Sequence, residues 1–533
     1  MFSQYSLPTR THTEAKQCLL CGSAQTTKFK YRSNLSGEGE ACRLYHEVRD
    51  SEVLMEDVVP IQRVYLLRRY NAYSPATISK FPSEILVEIF EYAIQLSTFA
   101  HRHFSVVLSS VSSRWRELMH TTPFLWNCIS IEFWNKSPKH LENRINLLRL
   151  YLRHSGTAAL FVKVSYDHHA LDGSQGSRLN TIFIDPTIDG TLTANLYRIR
   201  GLHLENASTR WLEYTPQLSS IESFRFKGKM SPYQGAPVIS FAESHHLSEL
   251  SLTDWSNINL GSGNLAHLTT IALESMEVTV CVSLLATCPN LVEYRCRSPK
   301  HPSVSSYFSY QPWNAVVTLK HLRVFEWEIT EHDTLAPVEG AMFRYLHLPT
   351  LLSLRLYTRQ YCRHPSVHLF CKHLPISLTR LHLSLHCGSE PEDTCLINSF
   401  PHDCDVRVLT LHSCGCLRSL EHVLKALEDI KRFPMLTHMV IDDKFKGRDR
   451  FGRQIELHAE FASLIHQMLI QRAKRAAFIL GFFLKIVWFP VRWPTEVRRG
   501  LWELTHSGRF RLTIQEDMKP FNNLPHSYPP RYL

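Results

Sequence analysis

The sequence predicts an α/β chain, in which a short helical module precedes a long and irregular array of strand-bearing repeats. Three observations lead there. The chain has 533 residues, whereas single domains usually run to about 100–200, so several units or one long repeat array are required. A sharp helical period begins at Phe81. A short apolar phrase then recurs from about residue 196 onward.

The composition narrows the class. With 44% hydrophobic and 20% charged residues, and only 20 glycines and 27 prolines, the chain is globular rather than collagenous or low in complexity. Fourteen cysteines over this length make no dense disulfide scaffold, and the opening MFSQYSLPTRTHTEAK has no apolar secretory stretch. An intracellular protein of the cytoplasm or nucleus is therefore expected. The most apolar segment, AAFILGFFLKIVWFPV, is interrupted by Lys485 and Pro490 and falls short of the roughly 20 apolar residues that a bilayer requires, so no membrane span is expected.

Residues 1–77 are polar and lack a clear period, which predicts a partly disordered arm. Cys18, Cys21, Cys42 and His46 lie in this arm as a C-x2-C pair and a C-x3-H pair. Such thiolates and imidazoles can hold a tetrahedral zinc ion. Only one half has the C-x2-C spacing, however, and the stretch between lacks turn signals, so free thiols and no cofactor are the reading adopted.

The helical module is expected at 78–131. In FPSEILVEIFEYAIQL, the residues Ile85, Leu86, Ile89, Phe90, Ala93 and Ile94 trace one helix face. Pro82 suits a first turn, and Glu84 sits where the helix dipole favours an anion. A second helical stretch, Ser105 to Met119, places Val107, Leu108, Val111, Trp115, Leu118 and Met119 on one side. Pro123 stops it, because a residue before proline avoids the α region. Ile129, Ile131 and Phe133 alternate as in a strand.

Residues 132–195 read as a linker helix from Leu141 to His154, ended by Gly156, followed by the strand ALFVKVSY at 159–166. The repeat array occupies 196–450. Its phrases include HLSELSL, LAHLTTIAL, LKHLRVFEW, LPTLLSLRL and DVRVLTL, each of the form L-x-x-L-x-L with aliphatic or aromatic substitutes. The last apolar residues of eight copies are Leu252, Leu273, Cys296, Trp327, Leu356, Leu383, Leu411 and Ile441, separated by 21 to 31 residues. A period of this size with this phrase is the signature of leucine-rich repeats, in which each phrase gives one strand and stacking buries a continuous core. Residues 451–515 form a C-terminal closing region with amphipathic helical stretches, and the proline-rich 516–533 is a loose tail.

Catalytic and cofactor motifs are missing: there is no G-x-x-x-x-G-K-[ST], G-x-G-x-x-G, H-E-x-x-H or G-x-S-x-G. No enzyme is expected. The 30 histidines are scattered beside repeat strands and read as polar partners of strand leucines. The net charge of +10 is concentrated: from Lys444 to Arg511 there are 14 Lys and Arg against five acids. This basic end lies near Phe482, Phe483, Trp488, Trp493 and Trp502, so nucleic-acid contact is an alternative function, while a solvated face or a surface for an acidic protein partner is the preferred reading.

Segment 81–131 resembles an F-box. FPSEILVEIFEYAI is similar to its opening helix, and SSVSSRWRELMHTTPFLWNCISI to the second half found in fungal F-box proteins, with Phe81 where Leu is commoner and Ser112 where Cys often sits. LRLYLRHSGTAALFVKVSY resembles the unit that follows the F-box in mushroom-type members. The resemblance implies docking on the adaptor Skp1 of a cullin–RING ubiquitin ligase, with a protein substrate held on the repeats. By that likeness Phe81, Pro82, Ile85, Leu86, Ile89 and Phe90 contact Skp1, helped by Val111 and Trp115; core packing is an equally good reading for Val111 and Trp115. The alternative is a repeat scaffold that binds no Skp1.

Overall fold

The computed structural model describes residues 81–96, 103–133, 138–166, 186–207, 209–228, 239–241, 244–255, 258–259, 265–301, 315–330, 337–357, 365–385, 396–413, 417–443, 459–475, 480–487, 493–506, 510–516 and 519–520. The chain divides into two compact units, Met1–Leu96 and Ser97–Leu533. The division falls inside the module expected at 78–131, so its first helix belongs to one unit and the remainder to the other.

In the first unit, α1 (Ser83–Leu96) begins where Pro82 predicts. The Pro82 carbonyl accepts the Leu86 N–H at 3.1 Å, and Glu84 occupies the first turn. Two apolar stripes share this helix. Leu86 and Phe90 are buried, while Phe81, Ile85, Ile89 and Tyr92 are exposed.

The second unit opens with α2 (Phe104–Val111) and α3 (Ser113–Thr121). One continuous helix was expected here, but the chain breaks at Ser112, which is extended at φ −153° and ψ 166°. Its hydroxyl accepts the Trp115 N–H at 3.1 Å and caps α3. Serines cause the break. Ser109 and Ser110 turn their hydroxyls back onto the carbonyls of Val106 and Val107, and Ser112 gains more as a cap than inside a helix. Pro123 then starts a 3-10 turn, Pro123–Trp126, that buries Trp126. The indole N–H donates to the Met119 carbonyl at 2.7 Å, and the ring meets Tyr151 edge-on.

From Cys128 the chain lays down one sheet in sequence order. Its strands are β1 (Cys128–Phe133), β2 (Leu160–Tyr166), β3 (Ile199–Glu205), β4 (Ser223–Lys227) and β5 (Glu249–Thr253). There follow β6 (Thr270–Glu274), β7 (Glu293–Arg297), β8 (Val324–Glu328), β9 (Ser353–Tyr357) and β10 (Arg380–Leu385). The last are β11 (Val408–Ser413), β12 (His438–Asp443), β13 (Leu480–Val487), β14 (Phe510–Glu516) and β15 (Lys519–Pro520). All neighbours are parallel except β15, which runs antiparallel to β14.

Parallel neighbours need a return crossover. Helices α4 (Pro138–His154), α5 (Pro186–Thr193), α6 (Val278–Thr287), α7 (Pro337–Tyr345), α8 (Pro365–Lys372), α9 (Leu417–Glu428), α10 (Ala459–Arg475) and α11 (Thr495–His506) lie in these returns. Gly156 ends α4 with φ +52°, as expected of a helix-terminating glycine. Shorter 3-10 turns, such as Leu265–His267 and Leu396–Ser399, serve elsewhere.

The register explains the repeated phrase. Leu252, Leu273, Cys296, Trp327, Leu356, Leu383, Leu411 and Ile441 are successive partners across β5 to β12, forming one buried row. A second buried row runs two residues earlier, through Leu250, Ile271, Tyr294, Phe325, Leu354, Leu381, Leu409 and Met439. The helices cover this side: the Tyr294 hydroxyl donates to the Cys281 carbonyl of α6 at 2.7 Å, and Trp327 meets Phe343 of α7 edge-on.

The sheet extends on both sides of 196–450. Strands β1 and β2, expected in the module and linker, and β13 and β14, expected in a closing region, belong to the same sheet. Their phrases lack the L-x-x-L lead-in, yet Ile129 and Ile131, and Leu484 and Ile486, supply the same inward pair. Pairing requires only that alternation. Residues 519–520, expected in a loose tail, pair with Gln515 and Glu516.

A second recurrence lies just past the strands. Asn206, Asp254, Ser275 and Ser298 follow β3, β5, β6 and β7 directly, all with φ between 47° and 61°. The Asp254 N–H donates to the Glu274 carbonyl at 2.8 Å and the Ser275 N–H to the Arg297 carbonyl at 2.9 Å. Short polar residues tolerate this left-handed turn best after glycine.

Candidate functional site

Among the described residues, the side of the sheet opposite the helices carries an organised polar surface. On each strand the residues between the two buried rows, and those flanking them, point there. The polar partners form ladders across neighbouring strands. Glu205 of β3 is held between Lys163 of β2 at 3.5 Å and Lys227 of β4 at 3.2 Å. Burial opposes its ionisation, but these two ammonium groups outweigh that and keep its carboxyl below the usual range. Arg225 pairs with Glu249, and Arg295 with Glu293 on its own strand.

The central knot is Glu326 on β8. Although it stands on the outward row, it is fully buried. Arg297 of β7 donates through Nε at 2.5 Å, and Arg355 of β9 donates through Nη1 at 3.3 Å. A buried carboxylate persists only when paired and hydrogen-bonded in this way. The bond to Glu326 also raises the Arg297 pKa above its ordinary value. Next to it, Glu328 accepts the Ser298 N–H at 2.8 Å, fixing the left-handed turn after β7.

Beyond β9 the surface turns to histidine. His382 has its pKa pushed down to about 4, chiefly by burial, with Arg355 and His412 adding repulsion. His412 faces Asp442 at 3.3 Å, and its ring tilts over Tyr357 at 5.7 Å. Ser384, His412 and Asp442 are successive register partners on β10, β11 and β12, which makes them a cross-strand polar row.

The other candidate surface is apolar and lies in the first unit. Just before α1, Phe81 is 36% exposed; on the helix, Ile85 is 41% exposed, Ile89 38% and Tyr92 65%. The spacing of four and three places Ile85, Ile89 and Tyr92 on one stripe, and Phe81 lies four residues ahead of Ile85. Pro82 is also exposed. Leu86 and Phe90, expected as adaptor contacts, are instead buried within the chain, because they occupy the other stripe. In the second unit, Val111 is exposed together with Val107 and Phe124, and Trp115 is half-buried. Sequence reasoning missed Tyr92, Val107 and Phe124; continuing the step from Ile85 and Ile89 would have reached Tyr92.

Several other expected residues take different places. Cys18, Cys21, Cys42 and His46 lie outside the described residues, as does Trp488. Of the aromatics near the basic end, Phe482 and Trp493 are buried core residues. Arg472, counted with the basic charge, is also fully buried. It donates to the carbonyls of Leu427 at 3.0 Å and Arg432 at 3.3 Å, and to that of Phe433, so it ties α10 to the end of α9. Burial lowers its pKa to about 10. These three residues are taken out of any nucleic-acid surface at that end. Among the described residues, no helix is long and apolar enough to cross a membrane.

No protein-family model matches this chain, and comparison with curated proteins finds no relative.

Proposed function

We propose that this chain is an F-box substrate receptor, with the α1 region docking a Skp1-like adaptor and a leucine-rich-repeat solenoid holding a protein substrate for a cullin–RING ubiquitin ligase. The observation that carries this reading is the exposed set Ile85, Ile89 and Tyr92 on α1, with Phe81 just ahead of it, in a phrase, FPSEILVEIF, that resembles the F-box opening. Apolar residues repeated at helical spacing and left in water suit a partner's groove. The solenoid reading rests on the eight phrase-ending residues that pair in one row. Such an array offers a long, polar, laterally extended face, which fits proteins better than small molecules.

The mechanism is proximity. The adaptor end fixes the chain to the ligase and the sheet holds the substrate, so substrate lysines experience a raised effective concentration of the ubiquitin donor. No catalytic group is required of this chain. The cytoplasm or nucleus is the expected setting.

A second reading has its own support: Leu86 and Phe90 are buried, so part of the motif's apolar set serves the chain's own packing. On that reading the segment is a structural cap on a repeat scaffold. Coexpression with Skp1 separates the two. The receptor reading expects a stable copurified complex that Ile85→Asp and Ile89→Asp abolish while the thermal unfolding midpoint is unchanged. A folded chain that never retains Skp1, or an Ile85→Asp/Ile89→Asp variant that retains it fully, sinks that reading in favour of the scaffold.

A further inference from the structure

We propose that the outward face of β9–β13 is the docking surface for an acidic protein segment. This deepens the substrate-holding role proposed above for the sheet and rests on it. The observation is an uneven distribution of charge along one continuous face. On β3–β8, outward carboxylates outnumber outward cations six to four. Most are already matched across strands, as Glu205 is by Lys163 and Lys227, and Glu326 by Arg297 and Arg355. On β9–β13 the balance reverses: Arg355, Arg380 and Lys485 face outward against one carboxylate, Asp442.

The pairing reverses too. Asp442 is engaged by His412, and among the described residues no carboxylate pairs with Arg380 or Lys485. His382 is held neutral chiefly by its burial, and Arg355 and His412 add to that. Arg355 is already paired to Glu326, but a partner with carboxylates here finds Arg380 and Lys485 with no internal counter-ion to give up, so the desolvation cost of docking is lower than over the matched ladders of β3–β8.

The chemistry favours a protein over a nucleic acid. Three fixed cations are few for a phosphate backbone, and a strand laid along the sheet would run onto Glu326, Glu328 and the other carboxylates of the preceding half. Tyr357, Val440 and Phe483 lie between the charges on the same face, giving the mixed apolar and polar surface that protein segments use. Five strands spaced about 4.8 Å apart offer roughly 20 Å, the reach of about six extended residues.

The test is fluorescence anisotropy on the full chain with three labelled probes: a dodecapeptide of alternating Glu and Ser, its Lys counterpart, and a twelve-nucleotide single-stranded DNA. The expected result is binding of the Glu peptide that weakens with salt and drops at least tenfold in Arg380→Glu/Lys485→Glu. The reversal Arg344→Glu/Lys372→Glu, on α7 and α8, leaves it within twofold. The milder Arg380→Gln/Lys485→Gln variant, with an unchanged unfolding midpoint, is expected to weaken binding as well. No binding of the Glu peptide, binding indifferent to Arg380 and Lys485, or tighter binding of the DNA overturns the proposal. Skp1 copurification, run on the same proteins, keeps the two ideas apart. Loss of Skp1 with retained Arg380-dependent peptide binding refutes the adaptor reading alone, and the converse refutes only this surface.

Discussion

Replacing Glu326 by alanine perturbs the centre of the sheet face in a calculable way. The carboxylate is fully buried and accepts from Arg297 at 2.5 Å and Arg355 at 3.3 Å. Hydrogen bonds to charged groups contribute about 1.5–3 kcal/mol each, and breaking a buried ion pair costs about 3–5 kcal/mol. Here the partners are not themselves buried: the Arg297 side chain is 51% exposed and that of Arg355 30%. Both guanidiniums can rehydrate once the carboxylate is gone, which discounts the cost to about 2–3 kcal/mol. A melting curve averages over the whole sheet and is a blunt readout of a local change in it. Amide hydrogen exchange resolved by strand is the right one. The expected outcome is exchange about 30- to 150-fold faster in β7, β8 and β9, at about 1.4 kcal/mol per factor of ten. Strands β3 to β5 keep their protection, and Glu326→Gln, which retains an acceptor, shows a smaller change. Unchanged exchange in β7–β9, or a uniform loss over the whole sheet, would refute the reasoning that this triad is a local clasp.

Three further outcomes follow from other parts of the chain. His203 and His382 both have pKa values lowered to about 4, mainly by burial; since the unfolded histidine titrates near 6.5, their contribution is complete above about pH 6.5 and is lost as pH falls toward 4, so urea midpoints should drop over that window, and by less in His382→Gln. Arg472→Met strands the carbonyls of Leu427, Arg432 and Phe433 and should destabilise the α9–α10 region by about 2–4 kcal/mol in exchange measurements. Ser275 at φ 54° occupies a left-handed turn, so Ser275→Gly should stabilise by about 0.5–1 kcal/mol and Ser275→Val should destabilise, read by hydrogen exchange in β6 and β7.

How much could be read from the sequence depended on the range of the interaction. The start of α1 was legible because Pro82 and Glu84 act within a single turn. The row from Leu252 to Ile441 was legible because each strand carries its own alternation. The break at Ser112 was hidden behind an apolar period that ran through it, and only the hydroxyl's bond to the Trp115 N–H exposes the cap. Strands β1, β2, β13 and β14 were placed outside the array because their lead-ins lack the phrase. The candidate site divided in the same way. The exposed stripe on α1 follows from helical spacing, but which of its two apolar stripes is buried does not.

The sequence alone determined that this chain alternates helices and short strands, that its strands each offer one apolar face, and that its positive charge gathers after Lys444. Those are properties of neighbours along the chain, set by the 3.6- and 2-residue periods and by composition. Tertiary structure alone decided that Glu326 is buried between two arginines and that Arg472 is a core latch rather than a surface charge. It also decided that Arg380 and Lys485 share a face with one carboxylate. The reason is physical: these environments arise from contacts between residues 27 to 45 positions apart, and burial or charge balance at such a point depends on which strand or helix lies alongside.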